Sequence, residues 1–316
     1  MANSDKPTIL VTGAGGATAK KVITLLQHDY NIVAVDFRRQ IKLGKDIPSY
    51  LVDITKRGFE DIFRNHKIDG VIHMGRVGTH SSNRRSRYNT NVIGTQRLFD
   101  RCRKYGVKQV LVMSTFFVYG ADAYNPALLD EDTPFKAAEL TLDLVDAVEL
   151  ENLANIYLYK YPELNITILR PCHIAGPGVR NSMSTLLSSQ RAPVLMGFSP
   201  MMQFIHVDDM GEAIAAAYKG NKPGVYNVAP EDYIAYQDAL SASGCKKAPL
   251  PSVPPALPLT ISKLMGWRAF PSYLINYFKY PVVLDGSLFE KTFNYKPKHS
   301  YQEIFTYYRQ QKELLK

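Results

Sequence analysis

The stretch from Thr8 to Asp36 constrains the fold more than any other part of the chain. Thr8–Thr12 (TILVT) has the composition of a buried strand and runs straight into Gly13-Ala14-Gly15-Gly16-Ala17-Thr18-Ala19. Helical periodicity starts at Ala17 and continues to Gln27, and a second apolar strand, Asn31–Asp36 (NIVAVD), ends on an acid. Gly13 permits a tight turn off the strand. Gly16 leaves the backbone bare where the helix opens, and Ala19 is small where helix and strand pack closely. The first turn of a helix offers unpaired N–H groups and a partial positive charge, so this turn favours an anion such as a phosphate. A lone glycine pattern says little. Here it has a strand before it, a helix after it, and Asp36 lies 20 residues beyond Gly16, which is the context the pattern requires.

The same rhythm continues. Ser49–Val52, Gly70–Met74 (GVIHM), Gln109–Ser114 (QVLVMS) and Asn165–Arg170 (NITILR) read as strands, and 59–66, 87–105 and 139–160 as helices. The strands are continuous apolar runs, which marks strands covered on both faces. Strand alternating with helix predicts an α/β fold, a doubly wound parallel sheet of the Rossmann type. Beyond Pro171 the rhythm breaks at Gly176-Pro177-Gly178. We therefore expect a dinucleotide-binding domain over 1–171 and a smaller C-terminal substrate lobe over 172–316, with 203–230 returning to the Rossmann core through short strands at 203–207 and 225–228. The segment 246–281, rich in Pro, Leu and aromatics, reads as a separate lobe over the cofactor site.

Composition narrows the class. The 316 residues are 46% hydrophobic and 21% charged, ordinary for a globular chain. The net charge of +9 suits anionic ligands without choosing among them. Arg84, Arg85 and Arg87 cluster, but no nucleic-acid motif accompanies them, so no nucleic-acid partner is expected. Cys102, Cys172 and Cys245 form no CxxC pair and are odd in number, which argues against a disulfide framework and for cytoplasmic surroundings. The N-terminus lacks the apolar core of a signal peptide, and no apolar run is long enough to span a bilayer. No His, Cys, Asp or Glu group shows metal-ligand spacing, so no metal is expected.

Asp36 would accept hydrogen bonds from the adenosine ribose and repel a 2′-phosphate, which favours NAD; Arg38 and Arg39 just behind it keep NADP possible. At this point a resemblance becomes plain. Thr12-Gly13-x-x-Gly16-x-x-Ala19, Asp53-Ile54, Val71-Ile72-His73-Met74, Asn91-Val92-x-Gly94-Thr95, Ser114-Thr115-x-x-Val118-Tyr119-Gly120, Leu169-Arg170-Pro171, Gly176-Pro177-Gly178 and Phe204-Ile205-His206-Val207-Asp208-Asp209 follow one another in order. In this the chain resembles the extended (atypical) short-chain dehydrogenases/reductases of the NAD-dependent epimerase/dehydratase type. The resemblance implies cofactor contacts from Gly13, Gly16, Ala17, Thr18, Asp36, Arg38, Gly75, Arg76, Asn91 and Pro171, with Asp53 and Ile54 against adenine. It also implies a homodimer through the helices at 87–105 and 139–160.

The family's catalytic pattern is where the match fails. Those enzymes use a Tyr as general acid/base, with a Lys four residues later, on the helix after the Val118-Tyr119-Gly120 loop. Between Lys136 and Ile156 there is neither Tyr nor Lys. Counting back from Arg170-Pro171 puts the pair near Asp143 and Ala147, with Glu151 matching the family's helix Glu; a register two residues on gives Val145 and Glu149. Asp143, Asp146 and Glu149 are spaced as one helix face, so they read either as a solvated stripe or as a carboxylate, Asp143 first, that replaces Tyr as proton carrier. Thr115 aligns with the hydroxyl that polarises a substrate carbonyl. His173, where nucleotide-sugar enzymes carry Asn, reads as an alternative acid/base because an ordinary His titrates near neutrality. Tyr119 and Tyr124 are weaker candidates. Met202 stands where nucleotide-sugar enzymes carry Arg. Two functions follow. One is an NAD-dependent oxidoreductase or epimerase acting on a small or lipophilic substrate, with a nucleotide sugar as the narrower variant. The other is a catalytically silent NAD(H) sensor or scaffold. Lys263, Arg268 and Lys279 beside Trp267, Phe270 and Tyr273 also suggest peripheral membrane contact through 257–280.

Overall fold

The computed structural model describes residues 6–38, 41, 43–44, 46–78, 83–252 and 274–314. Seven parallel strands form the central sheet: β1 (Thr8–Thr12), β2 (Asn31–Asp36), β3 (Ser49–Leu51), β4 (Gly70–His73), β5 (Gln109–Met113), β6 (Ile166–Pro171) and β11 (Gly224–Val228). Their order is β11-β6-β5-β4-β1-β2-β3. The chain winds outward from β1 in one direction, then returns to β4 and winds in the other. The sheet therefore reverses between β1 and β4, and a crevice opens outside their carboxyl ends.

Both faces are covered, which is why the strands are apolar throughout. On β1, Ile9 and Val11 enter one buried cluster and Leu10 the other. The first cluster packs under α1 (Ala17–Leu26) and α8 (Val207–Gly220). The second packs under α2 (Gly58–Asn65), α4 (Gly94–Lys104) and α6 (Val145–Lys160). Each fully buried aliphatic side chain in these layers contributes about 2 kcal/mol of transfer free energy.

Two expected helices are interrupted, each for a local reason. The helix read over 87–105 starts earlier, at α3 (Arg84–Tyr88), because the Asn83 side chain accepts from Ser86 N and caps it. It then passes through a π-turn, Asn89–Ile93, before α4. The helix read over 139–160 is three pieces: α5 (Ala137–Leu140), a 3₁₀ turn (Leu142–Leu144) and α6. Thr141 breaks it. Its backbone is extended (φ −158°, ψ 134°) and its hydroxyl accepts from Asp143 N, the competition with helical bonding that Ser and Thr offer.

The expected return of 203–230 is divided. β11 adds the edge strand of the main sheet and α8 packs on α1, but β10 (Phe204–His206) pairs with β7 (His173–Ala175) in a separate two-stranded sheet. The lobe is completed by α7 (Ser182–Ser188), β8 (Arg191–Leu195), β9 (Met201–Met202), β12 (Ile234–Ala235), α9 (Tyr236–Ala242) and β13 (Lys246–Leu250). β13 pairs in parallel with β8, so the start of the segment 246–281 is an integral strand. Of the segment 257–280, residues 257–273 with Lys263, Trp267, Arg268, Phe270 and Tyr273 lie outside the described residues. In the described remainder Leu274, Tyr277 and Phe278 are buried and face the protein.

The C-terminal helix Tyr301–Leu314 closes the lobe. The Tyr308 hydroxyl accepts from Gly176 N at 3.0 Å and donates to Ser184 Oγ at 2.9 Å. The buried Lys312 ammonium donates to Leu187 O at the end of α7 and to Ser243 O after α9, a cation satisfying the orphan carbonyls of two helix C-termini. Among the described residues, no helix is long and apolar enough to cross a membrane.

Candidate functional site: a cleft at the strand-order reversal

The carboxyl ends of β1 and β4 are locked together. Thr12 Oγ1 accepts from Met74 N (3.2 Å) and Gly75 N (3.1 Å) and lies 2.7 Å from His73 Nδ1. His73 Nε2 lies 2.9 Å from Thr95 Oγ1. Burial drives the His73 pKa down to about 4, so this imidazole is a neutral structural bridge between β1, β4 and α4. Gly13 sits against that bridge at φ +69°, and a Cβ there would lie 2.7 Å from Gly75 N. Only glycine fits both the backbone conformation and the contact.

Gly16 has a different reason. It is the N-cap of α1, with no side-chain cap and no acid in the first turn of the helix. A Cβ at Gly16 would approach only Gly13 O, at 3.3 Å, so the bare surface faces outward. Gly13, Gly16, Ala17 and Thr18 line a recess of about 220 Å³ together with Arg180. Asp36, buried at the end of β2, accepts from Gly15 N (3.0 Å) and Arg38 N (2.8 Å) through different oxygens. A carboxylate oxygen has more than one acceptor position, so capacity remains for the hydroxyls of a ribose. Free helix N–H groups, an open glycine surface and an acid one strand away together fit a dinucleotide diphosphate and its adenosine.

Two of the expected contacts also bond within the protein. Asn91, on the π-turn, accepts from Val77 N (2.8 Å) and donates to Val77 O (2.9 Å) and Asp146 Oδ2 (2.6 Å). Its amide therefore clamps the loop after β4. Asp53 accepts from the backbone and hydroxyl of Thr55, both at 2.8 Å, and lines a separate polar recess with Arg85 and Arg97. Ile54 is buried against α4, where it meets Gly94.

A larger cleft of about 580 Å³ adjoins the recess, with Arg38, Arg76, Thr115, Pro171 and His173 on its walls. Thr115 caps a 3₁₀ turn, Phe116–Tyr119, and its hydroxyl accepts weakly from Phe117 N at 3.4 Å, leaving its proton available. His173 is packed edge-on to Phe116 (4.5 Å between centroids) and stacked on Phe204 (5.5 Å). That burial pushes its pKa down to about 3. The premise of an ordinary imidazole titrating near neutrality therefore fails; His173 is neutral at pH 7.

None of the described acids at the start of α6 is among the residues lining the cleft. Asp143 lies on the 3₁₀ turn before α6, and its carboxylate pairs with Arg84 at 3.0 Å rather than lining the cleft. The predicted acidic stripe is split: Asp146 is buried against Arg87 (3.0 Å). Leu144 is the side chain of this segment that faces the cleft, and Ala147 and Val148 are buried behind it. Glu151 is buried against Arg170 at 2.9 Å. Tyr119 is fully buried, bonded to Arg170 and Asn227, and its pKa is pushed up to about 12 by burial. Tyr124 is 89% exposed. Among the described residues lining the recess and the cleft there is no Tyr, Lys, Asp or Glu.

Sequence reading missed several lining residues, among them Leu144, Phe117 and Arg180. Only the Thr141 break sets the rotation of Leu144, and only the path of the Gly176–Gly178 loop brings Arg180 to the turn. It also missed a cluster. His206, Asp208 and His299 come within 4.8 Å of one another through their ligand atoms, although nothing in their spacing announces it. The two rings are stacked, 4.2 Å apart at 22°, so their lone pairs lie in parallel planes and do not converge on one ion.

Sheet order, turn and cleft define a dinucleotide-binding α/β protein. The family model "NAD dependent epimerase/dehydratase family" matches residues 9–229, and the chain belongs to that family. An uncharacterized protein of Mycobacterium tuberculosis is 24% identical, over 95% of this chain and 82% of that one. A UDP-glucose 4-epimerase of Caenorhabditis elegans is 25% identical, over 71% and 77%. Among solved structures, a UDP-glucose-4-epimerase from Stenotrophomonas maltophila with bound NAD and formylated UDP-arabinopyranose superposes with a TM-score of 0.79 at 16% identity, covering 98% of each chain. MoeE5 in complex with UDP-glucuronic acid and NAD gives 0.78 at 20% identity, over 98% and 100%.

Proposed function

We propose that this chain binds NAD across the β1–β4 reversal and acts on a hydroxyl or carbonyl carbon of a small or lipophilic substrate held in the adjoining cleft. The observation that carries the reading is the uncapped N-terminus of α1, open beside Gly16, with Asp36 at the end of the next strand. NAD would supply the acceptor or donor of a hydride. Thr115 orients the substrate oxygen with its free proton. Phe116, Phe117 and Leu144 exclude water from that end of the cleft. A neutral His173 accepts a hydrogen bond from the substrate side. The nucleotide sugars named for the relatives are the narrower substrate class, but Met202 and His173 stand where those enzymes carry Arg and Asn. The proposal includes a homodimer through α4 and α6, where Ile156 and Tyr159 are 57% and 81% exposed. It also includes a cytoplasmic site of action. Peripheral membrane contact would rest on 257–273 alone.

A second reading, a silent NAD(H) sensor or scaffold, is favoured by the lack of Tyr, Lys and carboxylate among the described cleft residues. One experiment separates the two. Purified protein is titrated with NAD by calorimetry, then given alcohol, ketone and nucleotide-sugar substrates while reduced-nicotinamide absorbance and substrate epimers are followed. Turnover lost in Thr115→Ala supports the enzyme; binding without turnover supports the sensor; no affinity for NAD removes both.

A further inference from the structure

Arg180 follows the loop Gly176-Pro177-Gly178 and lines both the recess at the phosphate turn and the substrate cleft. It is exposed, and its guanidinium has no ion pair or hydrogen bond among the described residues. The loop that carries it is rigidly placed. Gly176 (φ +120°) is held through its N–H by Tyr308, and a side chain there would strike His206 at 3.0 Å. Gly178 (φ +75°) lies against the first turn of α1, where a Cβ would meet Ala17 Cβ at 3.4 Å. On the far side, Asn181 caps α7 and donates to Ile174 O at 2.7 Å. A cation with no partner among the described residues thus lines the recess at a helix N-terminus that has neither a side-chain cap nor an acid in its first turn.

We propose that Arg180 is the second jaw of the diphosphate site, closing on the dinucleotide's phosphates from the substrate lobe while the amides of α1 hold them from the Rossmann side. This rests on the reading of the cleft as an NAD site and sets a side chain opposite the backbone amides at the start of α1. A guanidinium matches the paired oxygens of a diphosphate with a planar fork of donors. Because the loop backbone is anchored before binding, the ordering cost is confined to the Arg180 side chain. The jaw also joins the two lobes through the ligand.

The test uses calorimetry on the full chain with NAD, ADP-ribose (which keeps the diphosphate and lacks nicotinamide) and, by competition, adenosine. Arg180→Ala is expected to weaken NAD and ADP-ribose by about 10- to 100-fold, the span of a lost charged hydrogen-bond pair. Arg180→Lys should recover part of that loss, and adenosine should bind both variants as it binds the wild type. An unchanged melting temperature without ligand shows that the loop has not been disrupted. Unaltered affinity for NAD and ADP-ribose in Arg180→Ala overturns the proposal and leaves the NAD reading standing. An equal loss for adenosine overturns it as well. If the wild type binds neither NAD nor ADP-ribose, the reading beneath it fails first, and this jaw with it.

Discussion

The two walls of the cleft are built from opposite materials. On the Rossmann side, the turn from β1 into α1 presents backbone amides, and its shape is imposed by contacts within the protein: Gly13 against Gly75, and Thr12 bridging to His73. On the α6 side the described residues present Leu144 to the cleft, and Asp146 and Glu151 turn inward to arginines. The first wall is specialised to hold a ligand. The second is braced by buried ion pairs. A site of backbone can persist on sheet geometry alone, whereas a site of side chains depends on a few positions that can be exchanged without loss of the fold.

The largest effect should come from that bracing. Asp146→Ala would leave Arg87 buried without its carboxylate partner and should cost about 3–5 kcal/mol, read as a lower urea midpoint. A stability close to wild type would show that α6 is not holding the wall. Gly13→Val attacks the other side. Its Cβ would have to displace the backbone of Gly75, so NAD affinity should fall on the order of 100-fold by calorimetry, equivalent to about 2.7 kcal/mol. Retained affinity would break the comparison at its firmer end.

A smaller effect comes through pH. His73 has a folded pKa of about 4, below its unfolded value near 6.5. The unfolded chain alone takes up the proton between those limits. Stability is therefore full above pH 6.5 and falls as pH drops toward 4, by about 1.4 kcal/mol per unit from this residue. Denaturation midpoints across that range in wild type and His73→Asn check it; identical slopes would remove the neutral bridge. The smallest effect is expected for Asp143→Ala. It breaks a surface pair with Arg84 worth about 0–1 kcal/mol and should leave any turnover unchanged. A loss of turnover without loss of stability would restore Asp143 as the proton carrier.

Much of the sheet was legible in the residues because burial on both faces leaves one reading for runs such as TILVT and NIVAVD. The phosphate turn was legible because its glycines answer to local backbone demands. Helix starts were less so. Asn83 and Thr141 act through single side-chain hydrogen bonds that compete with hydrophobic periodicity, and periodicity carried the reading past both. The cleft was least legible. Whether His173 titrates depends on Phe116 and Phe204 closing round it, and whether Asn91 faces a ligand depends on Val77 and Asp146. These are contacts between distant segments, and no local pattern encodes them.

The grip of Tyr308 and Lys312 on the cleft wall has a consequence in time. A chain emerging N-terminus first can assemble its sheet early, but the loop carrying Arg180 lacks its anchor until the helix Tyr301–Leu314 is released. Ligand affinity would then mature after the sheet, so that a molecule without that helix is folded yet slack in its hold on the cofactor.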